Sequence, residues 1–153
     1  MCKIFDVAKY ILSEIGEVST MKLQKLCYYS LVEGLVSPQH TAIFPNKFEA
    51  WANGPVCRDL WNVHKGLFYV DKKIIPTSLL SKREIPVTHK KYINAALEKY
   101  GKMTGTELSE LTHREKPWQD AIKNVNSARN SSRIISHKAI IEFYGKKRKY
   151  EQT

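Results

Sequence analysis

Apolar residues near the start of the chain recur at the spacing of a helix. Ile4, Val7, Ile11 and Ile15 lie on one face of a 3.6-residue period, with Ala8 and Leu12 beside them. A glycine at position 16 directly follows this pattern, where helices commonly end. The pattern predicts an amphipathic helix over residues 4–15.

A second helix is predicted to begin after Ser19 or Thr20, either of which can cap the first turn. Its apolar band is wide, so the segment 21–30, MKLQKLCYYS, is expected to lie mostly in the core. One polar stripe remains, which we call the polar ridge and interpret as a solvated helix face or a contact surface. The polar ridge consists of Lys22, Lys25, Tyr29 and Glu33.

The middle of the chain changes period. Alternation over residues 48–52 predicts a short strand or extended arm, and the tripeptide at 53–55 predicts a turn with Pro55 opening the next helix, which ends near Gly66. Residues 67–88 carry two prolines and predict a small hairpin or an extended excursion.

Helical patterns return in the second half. One helix is expected from Lys90 to Gly101, two short ones between residues 103 and 122, and a last one around residues 140–144, after a polar loop at 124–133. Thr104 and Glu107 form a capping-box pair at the start of the first short helix. The predicted fold is mainly α, a single compact helical domain with a small β-hairpin or extended arm. It spans residues 1–145, and residues 146–153 form a basic, frayed C-terminal tail.

The composition of the chain indicates where the protein is located. No apolar run approaches the roughly 20 residues that a bilayer requires, and the charged start does not suit a signal peptide, so we expect a cytoplasmic protein without membrane contact. Cys2, Cys27 and Cys57 fit neither a disulfide framework nor a zinc knuckle and are expected to be reduced.

The net charge of +10 is concentrated in the second half of the chain, where residues 78–153 carry sixteen Lys and Arg against eight Asp and Glu. This bias raises attraction to nucleic acid or acidic proteins without choosing between them.

Motifs for catalysis or cofactor binding are weak or absent. There is no glycine-rich phosphate loop, HExxH or paired CxxC, so neither a metal nor a cofactor is expected, and the chain is not expected to be an enzyme. Cys57 and His64 are two helical turns apart, too far for a nucleophile and its base. His113 is expected to bond a backbone carbonyl, with a proton-shuttle role as the alternative.

Three separated blocks occur in order: MKLQKLCYYS at 21–30, FEAWANGPV at 48–56 and GTELSELTHREKPWQDA at 105–121. Together they resemble the Panacea domain, an antitoxin-associated family that includes the SocA-like proteolytic adaptor and the GepA-type phage-associated proteins. The resemblance covers about residues 5–145. It implies a non-catalytic helical module that binds and neutralises a toxin encoded by an adjacent gene, or delivers it to a protease.

The site residues follow from the three blocks and from the tail. We expect the toxin contact at the polar ridge and the neighbouring arm, because cationic and aromatic groups on rigid elements make good anchors. The alternative is a small nucleic-acid-binding regulator of a phage or mobile element, which uses the basic tail and residues 82–91. The expected toxin contacts are Lys22, Lys25, Tyr29, Trp51 and Asn53; the structural motif residues are Gly54, Pro55, His113, Pro117 and Trp118; the possible nucleic-acid contacts are Lys146, Lys147, Arg148 and Lys149.

Overall fold

The computed structural model describes residues 2–123 and 132–152, and these ranges form a mainly helical domain. About 61% of the described residues are helical, and the sheets are small and antiparallel, which confirms the predicted fold class. The helices are α1 Ile4–Ile15, α2 Thr20–Leu35, α3 Arg58–His64, α4 Val87–Tyr100, α5 Gly105–His113, α6 Lys116–Ile122 and α7 His137–Gln152. The strands are β1 Val18–Ser19, β2 Phe48–Trp51, β3 Gly54–Val56, β4 Tyr69–Val70 and β5 Ile134–Ile135.

Helix α2 forms the centre of the core. The Ser19 hydroxyl accepts a hydrogen bond from the Lys22 amide at 3.1 Å, so the predicted cap is confirmed. Every residue from Leu23 to Leu35 is buried, and α2 packs against α1, α4, α5 and α7. Because α2 is covered on all sides, the prediction of a core helix is confirmed, and its polar side chains must find partners inside the protein.

The three-stranded sheet has the order β3-β2-β5, and a tight turn joins β2 to β3. Ala50 lies opposite Pro55, so Pro55 belongs to β3 and does not open the following helix, contrary to the prediction. Gly54 has φ +114, a left-handed value that reverses the chain back along β2. Pro55 is tolerated because β3 is an edge strand, where its missing N–H is not required.

Residues 67–88 form an extended excursion, the second of the two predicted alternatives. Strand β4 pairs with the distant β1, and two 3₁₀ turns follow at Lys72–Ile74 and Thr77–Leu79. Helix α4 begins at Val87, directly after Pro86 and three residues before the predicted start. Proline suits the start of a helix because it lacks only an N–H that the first turn leaves unbonded.

The C-terminal segment differs from the prediction. Residues 146–152 continue helix α7, so the expected frayed tail is wrong. Ion pairs fix this part of α7 to the core, including one of 2.7 Å between Arg148 Nη2 and Glu33 Oε2. Most of the predicted polar loop, residues 124–131, lies outside the described residues, and the strand β5 that follows it was not predicted.

A side chain at Gly54 should destabilise the turn between β2 and β3. A Cβ there would lie 2.6 Å from Thr112 Oγ1 and 2.9 Å from Lys25 Cε, in addition to the backbone strain. We expect Gly54→Ala to lower the free energy of unfolding by about 2–4 kcal/mol, measured by urea denaturation.

Gly66→Ala is the matched control, because Gly66 also has a positive φ of +86 but has open space around it. This substitution should lower the free energy of unfolding by only about 1–2 kcal/mol, through backbone strain alone. Equal losses in the two variants would show that the close packing around Gly54 contributes nothing.

Candidate functional site

Residues 51–55, which we call the clamped turn, are held by side chains from helices α2, α5 and α6. From α5, the Ser109 hydroxyl donates to the Asn53 carbonyl at 2.7 Å. His113 Nε2 donates to the Ala52 carbonyl at 2.8 Å, because a carbonyl only accepts. The prediction that His113 bonds a backbone carbonyl is therefore confirmed.

The two ends of the clamped turn are bonded in the same way. Trp118 Nε1 on α6 donates to the Trp51 carbonyl at 2.8 Å, and Lys25 Nζ on α2 donates to the Pro55 carbonyl at 3.2 Å. The His113 and Trp118 rings also lie together, with centroids 4.3 Å apart. All three sequence blocks therefore meet at this one turn, although the first block ends at residue 30 and the third begins at residue 105.

Lys25 is enclosed at the base of the clamped turn, with only 1% of its surface exposed. Burial lowers its pKa from 10.5 to about 7, because an ammonium loses its hydration in the protein interior. No salt bridge joins Lys25 to a carboxylate anywhere in residues 2–123 or 132–152. An ionisable amine without a counter-ion is thus built into the core.

Gln24 fixes the segment that follows the clamped turn. Its amide accepts from the Cys57 backbone N–H at 2.9 Å and donates to the Cys57 carbonyl at 3.2 Å. The same Nε2 lies 2.9 Å from His64 Nε2, which must accept and therefore carries no proton. Burial, assisted by Lys25, lowers the pKa of His64, which agrees with a neutral ring.

The Cys57 thiol shares this environment. Burial raises its pKa to about 11, so the thiol is protonated at neutral pH and is a weak nucleophile.

The polar ridge is not a solvated face, and that prediction is wrong. Tyr29 and Glu33 are buried like Lys25, and only Lys22 is half-buried. Lys22 Nζ donates to the Gly101 carbonyl at 2.6 Å, at the C-terminal end of α4. The ridge is buried because α4, α5 and α7 all pack over α2, which periodicity within one helix does not reveal.

Glu115 organises the other end of the ridge. Its Oε1 accepts from the Tyr29 hydroxyl at 2.6 Å and from the Tyr144 hydroxyl at 2.7 Å, and Lys147 Nζ lies 3.7 Å from Oε2. Burial, reinforced by Glu115, raises the pKa of Tyr29 far above its usual value, so this hydroxyl stays protonated and donates. Tyr29 also stacks on Tyr100 at 4.1 Å. This buried cluster connects α2, the corner before α6, and α7.

The four cations at the end of the chain divide into two pairs. Lys147 and Arg148 form ion pairs with Glu115 and Glu33, and Lys99 also contacts Glu33 at 3.2 Å. Lys146 and Lys149 are exposed. Half of the candidate nucleic-acid contacts are thus engaged within the protein.

A cleft of about 230 Å³ opens beside the clamped turn, and we call it the Lys25 cleft. Trp51 and Trp61 form part of its wall, with their ring centroids 5.3 Å apart in an edge arrangement. Its lining residues are Thr20, Met21, Gln24, Lys25, Trp51, Ala52, Asn53, Val56, Trp61, His64, Lys65, Gly66 and Leu67.

An exposed apolar patch adjoins the cleft at residues 67–69. Leu67 is 48% exposed, Phe68 is 74% exposed and Tyr69 is 62% exposed. Contiguous exposed apolar side chains commonly mark interaction surfaces. Sequence reasoning missed this patch, since residues 67–88 were interpreted only as a small hairpin or an extended excursion. It also did not place Trp61 in the site.

Of the five expected toxin contacts, Lys25, Trp51 and Asn53 line the Lys25 cleft together, whereas Lys22 and Tyr29 lie elsewhere on α2. The expected structural residues Gly54, Pro55, His113 and Trp118 all lie at or against the clamped turn. Pro117 is buried at the start of α6. Within the described part of the chain, no three His, Cys, Asp or Glu residues are grouped to hold a metal ion.

The fold and site define a mainly helical domain in which three sequence blocks converge on one turn. The family model for the antitoxin SocA-like, Panacea domain matches residues 23–119, nearly two thirds of the chain, and the chain belongs to this family. The resemblance drawn from the three blocks is thereby confirmed, and family membership supports an antitoxin role in general terms. Neither the curated proteins nor the solved structures gave a significant match. None of the described helices is long and apolar enough to cross a membrane.

The buried ammonium should make stability depend on pH. The pKa of Lys25 is about 7 in the folded protein and 10.5 in the unfolded chain. Between these two pH values the unfolded chain binds more protons than the folded protein, so this lysine makes the free energy of unfolding rise with pH. Relative to Lys25→Met, the wild-type free energy of unfolding should rise by about 2 kcal/mol between about pH 7 and pH 9. Urea denaturation of both proteins across this range checks the effect. Parallel pH profiles would contradict it.

Removing one hydrogen-bond donor from the clamped turn should measurably lower the free energy of unfolding. Trp118→Phe keeps an aromatic ring but leaves the Trp51 carbonyl without its indole donor, so we expect a loss of about 1 kcal/mol in unfolding free energy. Trp61→Phe is the control, since its indole N–H bonds no group in the described ranges. Equal losses would attribute the effect to ring size and not to the hydrogen bond.

Proposed function

We propose that this chain is a non-catalytic antitoxin that neutralises a toxin encoded by an adjacent gene through direct binding. The observation that carries the proposal is the match to the SocA-like antitoxin family over residues 23–119, which includes the clamped turn and its donors on α5 and α6. A rigid, multiply bonded turn suits binding by shape, since little conformational entropy is lost on association.

The surface we propose for the toxin combines the clamped turn, the Lys25 cleft and the patch at 67–69. Ala52 and Asn53 are exposed at the tip of the turn although their carbonyls are bonded from within. Aromatic groups beside a small cleft are typical of the central part of a protein interface. This replaces the polar ridge as the proposed contact, because Lys25 is buried and lines the cleft, and Tyr29 is buried on another part of α2.

A non-catalytic role is supported by the state of the candidate nucleophile. The Cys57 thiol is protonated at neutral pH, and the His64 nitrogen nearest Gln24 is already used as an acceptor. Direct inhibition and delivery to a protease both require a tight interface. The steady-state level of the toxin, followed by immunoblot during co-expression, distinguishes them, because delivery lowers the level and inhibition does not.

The second candidate function is nucleic-acid binding, favoured by three exposed cations around one groove. Lys91, Lys146 and Lys149 line this groove between α4 and α7. If these cations contact phosphates, binding to a DNA duplex should fall steeply with salt and weaken in the variant with Lys146 and Lys149 changed to Gln. Salt-insensitive or absent binding would remove this alternative.

Co-expression tests the proposed function. Cells that express the adjacent gene should grow poorly, and wild-type protein should restore growth. Phe68→Ser should reduce this rescue, with about a tenfold or greater loss of affinity for the toxin, because it removes an exposed aromatic group from the proposed contact.

Val87→Ser is the matched control, since Val87 is 83% exposed at the start of α4, away from the patch. It should rescue growth as the wild type does. A neighbour that is harmless, or toxic regardless of co-expression, would overturn direct neutralisation.

A further inference from the structure

The Lys25 ammonium is only partly satisfied by the protein. An ammonium has three N–H donors, and in the described ranges Lys25 Nζ has one hydrogen-bond acceptor, the Pro55 carbonyl at 3.2 Å. Burial is the cause of its lowered pKa, and in the part of the chain that the structure describes no carboxylate offsets that effect. A buried cation without a counter-ion is costly, which is why such groups are usually paired or attached to a ligand.

The Lys25 cleft has the charge of an anion site. Among the described residues, its ionisable lining residues are Lys25, His64 and Lys65, and no Asp or Glu lines it. Lys65 lies at the exposed edge, with Nζ 5.5 Å from the Trp61 ring centroid. The nearest acidic residue of the sheet, Glu49, is already bonded by Arg58 and the Trp51 indole. The cleft therefore favours a negative group from outside the chain.

The size of the cleft favours one side chain over a free metabolite. Its volume of about 230 Å³ is below the roughly 300–1,000 Å³ of typical small-molecule pockets. Trp51, Trp61 and Leu67 supply apolar walls, and Leu67 also belongs to the exposed patch at 67–69. A short apolar stem that ends in a negative group fits this combination.

We propose that the Lys25 cleft binds the carboxylate of an Asp or Glu side chain on the partner toxin, with the stem of that side chain against the tryptophan walls. This inference rests on the proposed function and specifies how the partner is recognised. Lys25 is the counter-ion inside the cleft, and Lys65 attracts the acidic group at the entrance.

Proton uptake gives the interaction a specific signature. At about pH 8 the free protein holds Lys25 mostly as the neutral amine, because its pKa is about 7. A bound carboxylate favours the ammonium, so complex formation should take up close to one proton. Calorimetry in two buffers of different ionisation enthalpy measures this number, which should fall towards zero in Lys25→Met.

The affinity test compares two cleft variants with a matched control. Lys25→Met should weaken toxin binding about tenfold or more, and Lys65→Glu should weaken it about threefold or more through a slower association rate. Lys102→Met removes an exposed lysine outside the cleft and should bind as the wild type does. Lys65→Glu changes only an exposed side chain, so it keeps the test valid if Lys25→Met folds poorly.

A double-mutant cycle identifies the acid. Each exposed Asp or Glu of the toxin is changed to Asn or Gln, and the affinity for this protein is measured. At one position the substitution should lower the affinity as much as Lys25→Met does, and it should cause no further loss when the toxin variant is paired with Lys25→Met. If the toxin binds wild type, Lys25→Met and Lys65→Glu equally, the inference is overturned while the proposed function stands.

If the adjacent gene product does not bind wild-type protein, the proposed function fails and a small probe decides the inference. N-acetylglutamate N-methylamide should shift the indole N–H resonances of Trp51 and Trp61 saturably, and the glutamine analogue should not. Equal shifts with both probes, or shifts that persist in Lys25→Met, would overturn the carboxylate site.

Discussion

The structure depends on the hydrogen bonds that three helices make to the carbonyls of residues 51–55. Lys25, Ser109, His113 and Trp118 each donate to a different carbonyl of this turn. Each such bond contributes on the order of 1 kcal/mol, but leaving one of these carbonyls unbonded would cost more. The turn is therefore a junction, and the positions of α2, α5 and α6 relative to the sheet are fixed through it.

A second polar junction lies under α7. Glu115 accepts hydrogen bonds from two tyrosine hydroxyls, and Glu33 forms ion pairs with Lys99 and Arg148. These buried carboxylates connect the last helix to α2. The family match ends at residue 119, before α7 begins. Helix α7 therefore lies outside the matched segment, and two of its basic residues, Lys147 and Arg148, attach it to the core. This reduces the number of cations available to an external polyanion.

The two junctions contrast in charge balance. At the second, every buried carboxylate has cationic or hydroxyl partners within the protein. At the first, Lys25 has one carbonyl and no counter-ion in the described ranges. A buried lysine that has no counter-ion and lines an open cleft is suited to an acidic partner, as the proposed contact with the toxin requires.

Local sequence determined the elements that depend on local physics: the end of α1 at Gly16, the Ser19 cap of α2, the capping box at Thr104 and Glu107, and the mainly helical class. The three blocks also determined the family. Only the tertiary structure decided the burial of Lys25, Tyr29 and Glu33, because periodicity within α2 cannot show that other helices cover its polar stripe. It likewise decided that Pro55 pairs in a strand and that residues 146–152 stay helical, since both depend on partners far away in the sequence.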